Sequence, residues 1–541
     1  MDAQPNFLRA GETGKGAQPG RIVALSYYEP FFVPIVRGIC ERTGWTVSDW
    51  IGARDASADP AAAFPGAVVQ RPEHAARGLL PEGIEPQDLV ELDEAILARM
   101  APYESMFMRM LEFYDPDGHS FSERERRFAY FAVLRSALSI VRKHRPTVCF
   151  AGTTPHALYD YMMYAVCRAH DIPTFVYIPF AVPGYQLLYT SVEHAHARLA
   201  AVYREKLARF SGGEVSLPPD LDKYLASVRR DYSAGEPWYT RLRDHTMLAD
   251  QPWLSKARSR YRHLRHQLRF ALDFLKAPWG RYEAHFVRPL ADFFKRRGVR
   301  LRDSTTSQHQ ANRVYTAGVG VKKKMLKRYR ELQRAPDLSA NFIFVPLHYQ
   351  PEATTTPLGG NFSDQLLMIR LLAAHLPKGW KMYVKEHRTI FDPVLRGSFS
   401  RDLDYYREIV EIPGAQIVPM ELSSFDLIDR TRAVATVTGT AGWEAVVRGV
   451  PALVFGNAWY ANCEGTFDAS THEGCARAMA AIVRGYRPDY TRVRLFLQAL
   501  AEVGLRADRD IFEVLTELTP EQSQRATVEH FLREYALRGT S

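Results

Sequence analysis

The chain has no run approaching the roughly 20 consecutive apolar residues that a membrane-spanning helix requires, although 46% of its 541 residues are hydrophobic. Residues 1–20 are polar and glycine-rich and lack the apolar core of a secretory signal. These absences argue against a spanning segment and predict a cytoplasmic protein with a disordered tail over residues 1–19. Cysteine is scarce as well. Cys40, Cys149, Cys167, Cys463 and Cys475 are an odd number, widely spaced and without paired metal-ligand spacing. That pattern excludes a disulfide framework or a zinc ribbon and predicts free thiols. No internal repeat at solenoid spacing is present.

Acidic residues are nearly missing from one stretch. Residues 253–330 hold 21 Lys and Arg against 4 Asp and Glu, a surplus larger than the +9 of the whole chain. The basic character is therefore local, and the remainder is mildly acidic. Trp, Tyr, Phe and Leu alternate with the basic residues there. Such a face suits an anionic inner-membrane surface, a solvated helical insert whose arginine stems cover apolar surface, or, least favoured, nucleic acid.

At this length two or three domains are expected. Residues 20–195 alternate short apolar runs with helical periodicity, as a Rossmann-like α/β domain does. Residues 196–337 read as a helical insert carrying the basic stretch. Residues 338–480 alternate again, predicting a second parallel sheet with right-handed crossovers, and residues 481–541 read as C-terminal helices. Thr519, with Gln522 three residues on, is the expected cap of the last one.

Four segments of the second domain begin apolar and break into polar or glycine-containing sequence: residues 345–352, 383–388, 435–444 and 453–456. Buried parallel strands emptying into loops look like this, and ligands of open α/β sheets lie outside those strand ends. Sugar transfer from a nucleotide develops positive charge at the anomeric carbon and negative charge on the leaving phosphate. Glu352 is the best-placed carboxylate for the first. Lys385 and His387 close the next strand and are suited to donate to the phosphate. Thr438, Gly439 and Thr440 precede a helix, whose free N–H groups form an anion cradle. Glu444, one turn inside, is suited to a ribose or sugar hydroxyl. His348 and Gln350 share the loop of Glu352 and are further candidate contacts to donor or acceptor. In the first domain, His156, with Thr153 and Thr154, falls at the start of a helix after a strand, where it either faces the cleft or packs locally. Asp402 and Asp404 have metal-motif spacing but open a helix, so no metal is expected, and no cofactor beyond the nucleotide sugar as substrate.

Residues 350–354, 383–387 and 436–445, followed by Pro451, Phe455 and Gly456, resemble the capsule polysaccharide biosynthesis superfamily, GT-B glycosyltransferases that include the bacterial Kdo transferases. The resemblance covers about a quarter of the chain. It implies a GT-B fold: two Rossmann-like domains facing a cleft, the nucleotide-sugar donor (CMP-Kdo-like or other) on the second and a glycan or glycolipid acceptor on the first. By position it makes Glu352 the catalytic acidic residue, His387 the donor-phosphate histidine and Thr438 to Thr440 the phosphate loop. Glu352 replaces the family's usual Asp, and Arg388 stands where Pro is typical. Two other functions fit the same residues: a sugar-nucleotide epimerase of GT-B architecture, and a non-catalytic polysaccharide- or membrane-binding assembly factor.

Overall fold

The computed structural model describes residues 20–26, 29–52, 58–76, 78–112, 122–179, 182, 184–230, 322–350, 352–391, 400–508 and 516–538. The expected tail and the basic stretch up to residue 321 lie outside these.

The first sheet is built from β1 (Arg21–Leu25), β2 (Thr46–Ile51), β3 (Val68–Gln70), β4 (Val148–Ala151), β5 (Thr174–Pro179) and β6 (Tyr185–Tyr189). β3, β2, β1, β4 and β5 lie side by side and parallel, and β6 adds to β5 antiparallel. β1 sits in the middle, and its residues alternate between two cores as a strand period of two requires. Ile22 and Ala24 join Phe32, Phe150 and Phe175 on one face. Val23 and Leu25 join the residues of helices Glu123–His144 and Leu158–Ala169 on the other. Both faces are therefore dry, which is why the strand reads as an uninterrupted apolar run.

The second sheet is wholly parallel: β7 (Phe342–Pro346), β8 (Lys381–Lys385), β9 (Ala415–Ile417), β10 (Ala433–Thr436), β11 (Ala452–Val454) and β12 (Thr466–Asp468), in the spatial order 12-11-10-7-8-9. The chain builds outward from β7 through β8 to β9, then crosses back to place β10 on the other side. The strand order reverses between β7 and β10, and that crevice is where open α/β sheets hold ligands. The two Rossmann-like domains expected from the sequence are thus present. The expected cap of the last helix is present, Thr519 and Gln522 forming the reciprocal cap of Pro520–Leu537, and Ser423 caps helix Ser424–Arg430 by accepting from the Asp426 N–H. The helix after β4 begins at Leu158 with Ala157 as its cap, so Thr153, Thr154 and His156 lie ahead of it.

A continuous apolar cluster connects the domains. It runs from β1 and β4 through helices Ala197–Arg209 and Tyr490–Val503 to Trp443, Val454 and Trp459 of the second. Helix Pro219–Arg230 belongs to it too, its Tyr224 hydroxyl accepting from Trp443 Nε1 at 3.0 Å.

The C-terminal segment does not stay with the second domain. Leu505–Arg506 forms β13, antiparallel to β6, and helix Pro520–Leu537 packs on helix Glu29–Thr43 of the first domain. Phe531, wholly buried, sits with ring centroids 4.8 Å from Phe150 and 4.9 Å from Phe175, and meets Trp45 edge-on. Sequence periodicity did not mark β3, β6, β12 or β13. Three of these have only two or three residues, too few for any period to show. Truncating Phe531 to Ala should lower the unfolding free energy by about 3–5 kcal/mol. Urea denaturation would measure it, and a change below about 1 kcal/mol would mean that the helix is not an integral part of the first domain.

Candidate functional site

At the crevice between β7 and β10 the first polar residue beyond β7 is His348, 8% exposed. Its Nε2 accepts from the backbone N–H of Val437 at 3.2 Å and, more weakly, of Thr438 at 3.5 Å. An imidazole nitrogen that accepts from amides carries no proton, so the ring is neutral with its hydrogen on Nδ1. Burial, followed by the neighbouring His387 ring and the Arg401 guanidinium, holds its pKa down to about 3. The Thr436 hydroxyl, 2.9 Å away, then donates to Nε2 and accepts from the Gly439 N–H at 3.1 Å. This relay sets the turn that caps helix Thr440–Val447. Only glycine fits at 439: a Cβ there would lie 2.8 Å from both His348 Cε1 and Thr436 Oγ1.

The same turn is strapped to the segment carrying Glu352. The Thr438 hydroxyl donates to the Thr354 carbonyl, and the Thr354 hydroxyl donates to Glu352 Oε2 at 2.9 Å. Glu352 is half-buried, and its own carbonyl accepts from Thr355 and Thr356 N–H. Thr440, the first residue of the helix, is exposed at the mouth. The carboxylate and the threonine-glycine turn, 86 positions apart from Glu352 to Thr438 in sequence, therefore converge.

β8 brings the imidazole. His387 Nδ1 accepts from the Thr389 N–H at 3.4 Å and lies 2.6 Å from its hydroxyl, which places the proton of the neutral ring on Nε2. Its neighbour Glu386 points inward and is 1% exposed. Glu386 Oε2 accepts from Arg401 Nε at 3.0 Å and from the Tyr406 hydroxyl at 2.8 Å, while Oε1 accepts from the His387 N–H at 2.8 Å. Arg401 continues the clamp: Nη1 donates to Gln350 Oε1 at 2.8 Å and Nη2 to the His348 carbonyl at 3.0 Å, with the guanidinium stacked 4.3 Å over Tyr405. One buried cation thus fixes the loops leaving both β7 and β8. Neither Glu386 nor Arg401 stood out in the sequence, since a lone Arg 15 positions from a lone Glu has no local signature.

Other expected site residues are placed differently. Gln350 is buried and fully engaged, accepting from Arg401 and Gln365 and donating to the Ser363 carbonyl. Like His348, it shapes the loops from within. Lys385 donates to the Leu422 carbonyl at 2.6 Å and Ser424 Oγ at 2.7 Å, on the β9 side of the sheet; burial, then Arg388, lowers its pKa to about 8. Glu444 is buried near Tyr224 and Tyr460, and burial pushes its carboxyl well above the usual range; its Oε2 has no hydrogen-bond partner among the described residues. His156 lies past β4 with Nδ1 2.7 Å from the Thr154 carbonyl, beside Asp160, whose pKa burial raises to about 6. Asp402 Oδ1 accepts from the Asp404 and Tyr405 N–H groups and so opens helix Tyr405–Glu411.

Open parallel α/β sheets hold their ligands at the strand-order reversal, where this turn lies. Residues 340–488 match the family model described as capsule polysaccharide biosynthesis protein. Among solved structures the chain is similar to two Thermosulfurimonas dismutans KpsC structures. The beta Kdo 2,7 transferase is 18% identical over 39% of this chain and 60% of that one, with a TM-score of 0.23. The beta Kdo 2,4 transferase is 16% identical over 33% and 54%, with a TM-score of 0.20. The chain thus spans only somewhat more than half of each. UDP-GlcNAc 2-epimerase from Methanocaldococcus jannaschii is 9% identical over 90% of this chain and 100% of that one, with a TM-score of 0.23. No protein of curated function matches the sequence.

Replacing Arg401 by Met should cost about 3–5 kcal/mol, because Glu386 is left buried and uncompensated, and thermal unfolding would register it. His348 gives a pH signature. It is neutral when folded, with a pKa near 3, and titrates near its ordinary value of about 6.5 when unfolded. The unfolded chain therefore takes up an extra proton between those values, and stability is lost as pH falls through that window, by up to about 1.4 kcal/mol per unit. His348→Gln should flatten the unfolding free energy between pH 6.5 and pH 4 relative to the parent; parallel curves would refute the neutral, buried assignment.

Proposed function

We propose that the chain is a glycosyltransferase of bacterial capsule or surface polysaccharide synthesis, moving a sugar from a nucleotide-sugar donor to a glycan or glycolipid acceptor. The observation that carries this reading is the hydrogen-bonded strap from Glu352 through Thr354 to Thr438, which sets a carboxylate beside a helix N-terminus at the crevice of the second sheet. In this reading the donor phosphate rests on the Gly439 to Thr440 turn, where the exposed Thr440 hydroxyl and the first free N–H groups of the helix meet its charge. His387, with its proton on Nε2, supplies a further donor to the leaving group.

Glu352 then acts at the anomeric carbon. As nucleophile, its oxygen bonds to the anomeric carbon while the bond to the nucleotide phosphate breaks, and the acceptor oxygen, giving up its proton, then displaces the carboxylate; as base, it takes the acceptor hydroxyl's proton while that oxygen attacks and the bond to the nucleotide phosphate breaks. The leaving phosphate's charge is met by protein donors in both cases, so the step is proposed as metal-independent and needs no cofactor beyond the donor itself. Glu444, whose carboxyl burial pushes well above the usual range, is suited to hydrogen-bond a ribose or sugar hydroxyl. Lys385 supports the site from beneath through residues 422–424. The capsule family of the second domain is consistent with each of these roles. Peripheral attachment to an anionic inner membrane through residues 253–330 belongs to the same proposal and rests on their charge alone.

A thermal-shift comparison of CMP, UDP and GDP should identify one nucleotide that stabilises by about 2.7 kcal/mol at about 100 times its dissociation constant. Glu352→Gln should keep that shift and abolish transfer. Full transfer by the variant would remove Glu352 from the chemistry, and conversion of the nucleotide sugar without any acceptor would favour an epimerase.

A further inference from the structure

Two histidines remote in sequence meet between helices of the second domain. His375 is the C-cap of helix Gln365–Ala374, and His472 is the first residue of helix His472–Val483, which Thr471 caps. The two helices pack along one apolar seam, Met368 and Leu372 of the first sharing a core with Cys475 and Met479 of the second. Across that seam His375 Nε2 lies 2.9 Å from His472 Nδ1, with ring centroids 5.2 Å apart and the ring planes inclined at 63°. Nothing local in the sequence marks the pair, whose members are 97 positions apart.

A hydrogen bond between two ring nitrogens needs a hydrogen on one and a lone pair on the other, so at most one of the two rings is protonated. A neutral donating ring can move its hydrogen to its other nitrogen, a change of tautomer without change of charge, and both facing nitrogens then present lone pairs. Two such imidazoles form a chelate. With metal–nitrogen bonds of about 2.0–2.1 Å, ligands at a right angle lie about 2.9 Å apart and tetrahedral ones about 3.3 Å. The observed separation is the right-angle one, which Cu(II) and Ni(II) adopt with nitrogen and oxygen ligands. Calcium and magnesium take oxygen ligands instead. His472 is exposed and His375 half-buried, so the pair opens to water, which would fill the remaining positions. Among the described residues no group of three or more His, Cys, Asp or Glu side chains is placed to hold a metal, so the protein contributes two ligands here.

We propose that His375 and His472 form a two-histidine site for Cu(II) or Ni(II) that ties helix Gln365–Ala374 to helix His472–Val483. The site takes no part in the proposed sugar transfer and does not rest on that reading. The untagged full chain, stripped of metal, would be titrated with Ni(II) and Mg(II) by calorimetry, and pulsed electron paramagnetic resonance would be recorded on the chain loaded with an equal amount of Cu(II). Ni(II) should bind and raise the melting temperature, Mg(II) should not bind, and the copper signal should show two imidazole nitrogens. His375→Gln and His472→Gln each keep a side chain able to hydrogen-bond across the seam. Each should weaken Ni(II) binding at least tenfold while the metal-free urea midpoint stays near that of the parent. Failure of the parent to bind either transition metal, Mg(II) binding as tight as Ni(II), weakening in fewer than both variants, or a copper signal without two imidazoles would overturn the proposal. Where a variant proves unstable, the copper signal of the parent decides alone.

Discussion

The second domain depends on an imidazole that cannot afford a proton. His348 sits where the strand order reverses, and its unprotonated Nε2 is the acceptor on which the backbone after β10 closes. Were the ring charged, Nε2 would become a donor facing two other donors, and the turn from Thr436 to Gly439 would lose its anchor. Burial enforces the neutral state, and the Arg401 guanidinium reinforces it from the carbonyl side. The turn ahead of helix Thr440–Val447 is thus shaped by a buried, uncharged imidazole.

A second buried element divides the labour differently. The Glu386 and Arg401 pair is almost wholly removed from water, a placement whose desolvation cost is recovered only because nearly every polar atom finds a partner. Its net contribution to stability is small by that reasoning. What it supplies is registration: one guanidinium touches loops that leave two strands, so the spacing between the Glu352 segment and His387 is set by rigid contacts and not by loop propensity. The groups proposed for chemistry, half-buried Glu352 and His387 and exposed Thr440, are carried on this frame.

Much of this was legible in the sequence, for identifiable reasons. The strands β1, β4, β7, β8 and β10 are buried on both faces, so they appear as apolar runs that end abruptly, and the polar residues after them could be assigned to one edge of a sheet. The cap at Thr519 was readable because its signal is local. What escaped was non-local. His348 and Gln350 looked like ligand contacts because polar residues past a strand end usually face the crevice; the distant Arg401, Gln365 and Thr436 turn them inward. Lys385 was drawn away by carbonyl and hydroxyl acceptors 37 and 39 positions downstream. Side-chain direction at a strand end is decided by partners that no window of sequence contains.

The return of helix Pro520–Leu537 to the first sheet has a bearing on how the protein is made. The face of that sheet that Phe150 and Phe175 present is covered by Phe531, which is synthesised only after the whole of the second domain. Throughout translation of the second domain, that aromatic surface is without its cover. The first domain is therefore completed only after the second has been made, so a nascent chain would have to be shielded, by a chaperone or by its own provisional contacts, until helix Pro520–Leu537 arrives.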